Sequence, residues 1–234
     1  MLKMTNCLTI DAAQHNRRHD SRSPRKTGRD LLNAEDVPPH VRVPFILSCY
    51  RAPLQPTDSL LVAGLCSLCT WHNETANVWS HLLGLIWAMW RLNSTRTATS
   101  VPAIARHSLI SFHASAVVVL GTSTCAHAFA PLLPVGRGRQ LWHVDHSAII
   151  ISIAGSFSPA LHYSFRCHDY CRAFYLVTVL GGLSVGFGLT LWPPITAHPQ
   201  GRRTLSDKLR IAVLSSVVAF GLVPLGARPM RTKC

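Results

Sequence analysis

Apolar and polar positions alternate on a long scale in this chain. Five apolar runs, residues 77–90, 108–130, 147–165, 173–192 and 209–225, are separated by short joints that hold most of the nearby charge. The run 173–192 is uncharged for 20 residues, close to the roughly 20 apolar residues that a helix needs to cross a hydrocarbon core of about 30 Å. The first run is short and needs polar neighbours, tilt or a thinned bilayer to span. The last is interrupted by Pro224. This pattern predicts an all-α membrane protein, a multi-span helical bundle.

Residues 1–42 have a different texture. They are polar and basic, with Arg17, Arg18, Arg22, Arg25, Lys26 and Arg29 and no apolar periodicity. Such a stretch buries too little surface to offset its ordering entropy and is expected to be disordered. It lacks the apolar core of a cleaved secretory signal, and its positive charge favours retention on the cytoplasmic side. Val43–Arg51 is a short amphipathic piece that could lie along a membrane surface. The expected organisation is a disordered basic cytoplasmic tail over 1–42, a multi-span membrane domain over 43–226 and a divergent tail over 227–234.

Composition supports the membrane reading and removes a competing one. The chain is 48% hydrophobic and only 14% charged, against about 25% charged in ordinary soluble domains. Its net charge of +13 would suit nucleic acid, but the Arg residues sit in breaks between apolar runs and form no stripe interleaved with aromatics. No nucleic-acid partner is expected. The joints carry Arg91 and Arg96, then Arg137 and Arg139, then Arg166 and Arg172, then Arg202, Arg203, Lys208 and Arg210. With the N-terminus inside, the cytoplasmic joints hold six of these against four outside, a modest bias in the same direction.

Candidate chemistry concentrates between residues 123 and 165. Asp145 is the sole acidic residue between the second apolar run and the end of the third, two residues ahead of 147–165, and His127 lies near the end of the run before it, four residues after Ser123. An ionisable group at membrane depth is costly and is usually paired, metal-bound or functional. The bland alternative stands beside this: an Asp opening a helix can be an N-cap, and a His near a helix end can sit in the interface. Further back, Glu74, Asn77 and His81 fall at i, i+3 and i+7, one face of a helix entering the apolar run. They read either as capping groups or as a stripe facing another segment of the protein. Cys66-Ser-Leu-Cys69, without a second pair, is read as two small buried thiols and not as a zinc clip. His143, His146 and His162 read as interfacial histidines.

Together, Phe45-Ile-Leu-Ser-Cys-Tyr50-Arg51, His72-Asn-Glu74-Thr-Ala-Asn77-Val-Trp79-Ser-His81-Leu-Leu-Gly84, Ser123-x-x-x-His127, Asp145 and Gly155-Ser-Phe-Ser-Pro-Ala-Leu-His-Tyr163-Ser-Phe165 resemble the progestin and adipoQ receptor family. That family includes the adiponectin receptors and the bacterial hemolysin III-like proteins. The resemblance runs from about residue 43 to 226, and about five of the family's seven spans are present. On it, the chain is expected to be truncated at its C-terminus.

The resemblance implies a seven-span bundle with a cytoplasmic N-terminus and a Zn2+ ion held by three histidines and a water. Such an open site lowers the pKa of its water towards neutrality. It makes His127 a metal ligand, Ser123 its upstream partner and Asp145 the carboxylate that contacts the metal-bound water. The second and third ligands come from an H-x-x-x-H, and none occurs in this chain after His81. The implied function is an integral membrane receptor of a family linked to zinc-dependent hydrolysis of ceramide-type amides, without the full catalytic set as written. The alternative is a non-catalytic scaffold or regulatory protein acting through its cytoplasmic face. Implied partners are membrane lipid and a protein or steroid ligand, at the plasma membrane or an endomembrane such as the Golgi or ER.

Overall fold

The computed structural model describes residues 31–37, 42–43, 45–52, 54, 58–191 and 205–226. Their order is β1 (Leu31–Leu32), β2 (Tyr50–Arg51), α1 (Leu60–Ser67), α2 (Thr75–Thr97), α3 (Ala103–Phe129), α4 (Val135–Ser164), α5 (Asp169–Leu191) and α6 (Leu205–Gly226). Each of the five expected apolar runs lies in one of the helices α2 to α6, with α3, α4 and α5 each ending one residue short of the expected limit. A single antiparallel pair, Leu31 opposite Arg51 and Leu32 opposite Tyr50, is the only sheet among the described residues.

Among the described residues, three helical stretches are long and apolar enough to cross a membrane: Ala103–Leu132, Val135–Ser164 and Asp169–Thr190. Large apolar side chains remain outside on these and neighbouring helices, among them Trp87 and Trp90 on α2, Ile104 and Val118 on α3, and Val177 and Val185 on α5. A soluble domain would not tolerate that much exposed apolar surface, whereas lipid is its natural solvent. The fold is an all-α membrane helical bundle, as the run pattern predicts.

The chain divides into two compact units, one formed by residues up to Trp79 together with His127–Arg139, the other by Ser80–Ala126 and residues from Gln140 onward. In the first unit, Leu32, Val37, Tyr50 and Ala52 form a small buried cluster with Ala34 and Ile46 at its edge. Leu32 and Val37 fall inside the segment expected to be disordered, so the boundary at residue 42 cuts through a packed cluster. Residues 1–30 and 38–41 of that tail lie outside the described residues. The Tyr50 hydroxyl ties the loop together: it accepts from Val43 N at 2.9 Å and donates to Ile46 O at 3.0 Å. Phe45 and Cys49 in that loop hold positive φ, 71° and 67°, which is strained for non-glycine residues.

Ser59 caps α1, its side chain accepting from Val62 N. The helix buries Gly64 and Ser67. A Cβ at Gly64 would fall 2.0 Å from the Phe129 ring, so only glycine allows that approach. Cys66, off this buried face, and Cys69, past the end of the helix, are both exposed, which corrects the expectation of buried thiols. Gly138 N bonds to Pro134 O at 2.9 Å and opens α4 there. Arg137 and Arg139, expected in a joint, are therefore helical, and Asp145 lies well inside α4 and does not cap it.

The second unit has its core where α4, α5 and α6 meet. Ile150, Phe157, Leu161, Phe165, Val179 and Leu183 are buried there, with Leu214, Val217 and Phe220 of α6 against them. Tyr175 stacks between Phe165 and Phe220, with ring centroids 5.0 and 4.8 Å away. Between α3 and α4 the backbones come close at Gly155, where a Cβ would stand 2.0 Å from Ser115 Oγ, 2.5 Å from Ser115 Cβ and 3.0 Å from Ser111 O. Rotating the serine does not relieve the last two contacts. Gly155→Ala is expected to lower stability by about 1–3 kcal/mol, the usual cost of overpacking. Gly181, with nothing within 4 Å of its Cβ position, should accept alanine without loss. Thermal unfolding of the two variants in detergent checks the contrast.

Candidate functional site

The buried polar residues of the first unit converge on one carboxylate. Glu74 directly precedes α2, and its carbonyl accepts the first helical bond from Val78 N at 2.9 Å. Glu74 itself is buried. Its Oε2 accepts from Asn77 Nδ2 at 2.8 Å and from His127 Nδ1 at 2.8 Å. The i, i+3 spacing of Glu74 and Asn77 thus does what a shared helix face permits, and the pair meets another segment of the protein rather than lipid. His81, one turn further along α2, belongs to the second unit.

Arg51 holds the same histidine from its backbone side. Its two terminal nitrogens donate to His127 O and Ala128 O, each at 2.7 Å. These are last-turn carbonyls of α3, where a cation complements the negative end of the helix dipole. The guanidinium is buried, and its Nε has no hydrogen-bond partner. Burial lowers its pKa to about 10, and the nearby Glu74 charge opposes the shift. Arg51 therefore stays charged at neutral pH. For Glu74, burial alone would raise the pKa. The hydrogen bonds from His127 and Asn77, with the charges of His127 and Arg51, outweigh it and hold the carboxyl below its ordinary range.

His72 completes the surround with a fixed tautomer. Its Nδ1 accepts from Glu74 N at 3.1 Å, so the proton is on Nε2, which donates to Ser67 O at 3.2 Å. Thr75 Oγ1 accepts from His72 N at 2.8 Å and donates to Thr70 O at 3.2 Å. Burial, assisted by the Arg51 charge, lowers the His72 pKa to about 4. Sequence reasoning singled out neither Arg51 nor His72 as a site residue. The signals were that Arg51 closes an amphipathic piece, that His72 stands two residues before Glu74, and that both fall within the motifs that carry the family resemblance.

In the second unit, Ser123 and Asp145 are both buried, and Ser123 Oγ donates to Asp145 Oδ1. Two of the candidate residues, Ser123 on α3 and Asp145 on α4, therefore meet each other. The same unit holds a polar pair that the sequence reading missed, with Thr95 Oγ1 3.2 Å from the buried His113 Nδ1. His146 is exposed with Nδ1 2.6 Å from Trp142 O, and His162 lies edge-on to Tyr163.

A zinc ion can be tested against these donors. With Nδ1 of His127 on a carboxylate, Nε2 is the nitrogen that would face a metal, as second-shell carboxylates commonly arrange. That is one ligand. Among the described residues no group of three or more His, Cys, Asp or Glu side chains is placed to hold a metal, so the residues present do not make the three-histidine site that the resemblance implies.

Long apolar helices with lipid-exposed flanks and small buried polar clusters define a helical integral membrane protein. The chain belongs to the Haemolysin-III related family, whose profile matches residues 69–232. It is similar to human progestin and adipoQ receptor family member 3, 28% identical over 206 residues that cover 84% of this chain and 61% of that protein. It is also similar to the adiponectin receptor protein of Drosophila melanogaster, at 32% over 157 residues, 65% of this chain and 33% of the relative. Heptahelical transmembrane protein 3 of Arabidopsis thaliana is 26% identical over 232 residues, 81% of this chain and 65% of that protein. The chain therefore spans less than two thirds of each relative's length. The family indicated by the sequence motifs and the family found by comparison are the same.

Two outcomes follow from the cluster. Glu74→Gln and Arg51→Lys should each destabilise by about 1–3 kcal/mol, since each leaves buried partners unmatched; chemical or thermal unfolding in detergent measures this. Stability should also fall with acidification. The unfolded His72, near pH 6.5, binds more protons than the folded one, at about 4, so its contribution is complete above pH 6.5 and is lost as pH falls towards 4. Glu74, with its folded pKa lowered, adds a further loss below the ordinary carboxylate range. A series of melting temperatures from pH 7.5 to 4 should slope less in His72→Asn than in the parent.

Proposed function

We propose that this chain is a multi-pass membrane receptor-type protein with its N-terminal side in the cytoplasm, and that its buried polar cluster couples the N-terminal segment to the end of α3. The observation that carries this reading is the Glu74 carboxylate, satisfied by His127 and Asn77 with Arg51 close by. Arg51 comes from the N-terminal segment and His127 from a long apolar helix. A ligand that moves either one must break short, buried, charge-assisted bonds, so the cluster can hold two discrete arrangements. The names of the relatives point to a protein or steroid ligand, and membrane lipid is the surrounding partner. Signalling and lipid metabolism are the processes in which such a receptor would act.

A second reading is the zinc-dependent lipid amide hydrolase that the resemblance implies. It is favoured by the carboxylate behind His127 and by the Ser123–Asp145 pair. It needs two more nitrogen ligands than this chain brings together, and losing even outer-shell groups typically costs about 10–100-fold in metal affinity. In the receptor reading Ser123 and Asp145 satisfy each other as a buried pair, and the same holds for the non-catalytic scaffold, which differs only in having no ligand.

The tests separate these readings. The protein should stay in the pellet on alkaline carbonate extraction, and a glycosylation sequon placed near residue 10 should remain unmodified; glycosylation there would reverse the orientation. The 234-residue protein, purified in detergent, should carry far less than one zinc per chain by elemental analysis. Stoichiometric zinc that disappears in His127→Ala, together with hydrolysis of a ceramide, would establish the hydrolase instead.

A further inference from the structure

The first unit carries a second pair of reactive side chains that the Glu74 cluster does not use. Cys66 and Cys69 are free thiols, and both are exposed. The chain leaves α1 through consecutive tight turns, with Leu68 N on Leu65 O at 3.1 Å, Cys69 N on Cys66 O at 3.1 Å and Thr70 N on Ser67 O at 3.3 Å. Side chains at i and i+3 eclipse in such a turn. The Cα atoms at its ends lie within about 7 Å, overlapping the range of about 4.4–6.8 Å that a disulfide spans.

Metal binding is the rival use of a C-x-x-C, and the nearest third donor is His72, three residues on. Both of its ring nitrogens are engaged, Nε2 with Ser67 O and Nδ1 with Glu74 N. A ligand role would break two buried hydrogen bonds. Two-electron sulfur chemistry requires no third group.

We propose that Cys66 and Cys69 form a convertible dithiol that closes to an intramolecular disulfide on meeting a low-molecular-weight disulfide such as oxidised glutathione. One cysteine thiolate attacks a sulfur of the small disulfide, forming a mixed disulfide and releasing one thiolate. The second cysteine thiolate attacks the mixed disulfide at the protein sulfur and releases the other. The two protein thiols lose two protons and two electrons, and the small disulfide is reduced to two thiols.

The position of the turn gives the reaction a consequence. Ser67 O accepts from His72 and Thr70 O from Thr75, so the segment that holds both cysteines is hydrogen-bonded to the residues on either side of Glu74. Closing the disulfide fixes that turn covalently and stiffens the approach to α2.

The test uses the full chain in membranes, exposed to reduced or oxidised glutathione, then alkylated and mapped by peptide mass spectrometry. After reduced glutathione, Cys66 and Cys69 should both be alkylated. After oxidised glutathione they should lose alkylation together, their shared peptide being about 2 Da lighter than the dithiol form, as loss of two hydrogens requires. In Cys66→Ser, Cys69 should instead hold a glutathione adduct, and dithiothreitol should restore alkylation in the parent. Cys125 and Cys171, the other free thiols among the described residues, serve as unpaired controls. Separate glutathione adducts on Cys66 and Cys69 in the parent, or two thiols that stay alkylatable throughout, would overturn the proposal.

Discussion

A buried carboxylate must be compensated where it sits, and the first unit is arranged to meet that demand at Glu74. Removing an ionised carboxyl from water costs several kcal/mol even after relaxation, so it persists only with hydrogen bonds and opposite charge at hand. His127, Asn77 and the nearby Arg51 supply them. Each of these donors is fixed by a different element: Asn77 by α2, His127 by the last turn of α3 and Arg51 by β2. Satisfying one charge thus brings three parts of the chain together, and satisfying Arg51 in turn uses the carbonyls that α3 cannot satisfy within itself.

The second unit follows a different logic. Its core is aromatic and aliphatic, and among its described buried polar groups two side-chain pairs stand out, Ser123 with Asp145 and Thr95 with His113. Association of helices in lipid draws little on the hydrophobic effect and depends instead on close packing and a few interhelical hydrogen bonds. The approach at Gly155 and the stacked rings of Phe165, Tyr175 and Phe220 are this packing. The placement of Asp145 deep in α4, bonded to a serine of α3, gives it the partner that an acidic group at such depth requires.

The helices were legible in the sequence because lipid imposes a single rule, that every backbone polar group be satisfied inside its own segment, and apolar runs of spanning length record that rule. The Glu74–Asn77 stripe was legible for a similarly local reason, the three-residue spacing. What local spacing does not encode is the partner. His127 is 53 residues from Glu74, and Arg51 is 76 and 77 residues from the carbonyls it caps. Nor does it encode the His72 tautomer, which depends on a backbone N–H and a carbonyl meeting opposite edges of one ring. Nor does local spacing show that Leu32 and Val37, set in a polar stretch, pack: the other half of their cluster is Tyr50 and Ala52, further along the chain.

Tyr50 and Arg51 are neighbours on a two-residue strand, and successive side chains of a strand point to opposite faces. The tyrosine fastens the loop behind it through its hydroxyl, while the arginine reaches the end of α3. The pair is therefore a two-sided clasp whose handedness depends on the count of residues leading up to it. Removing or adding one residue between Ile46 and Tyr50 would exchange the two faces, turning the phenol towards the helix end and the guanidinium towards the loop. In this family member the loop ahead of β2 can vary in residue type far more readily than in length.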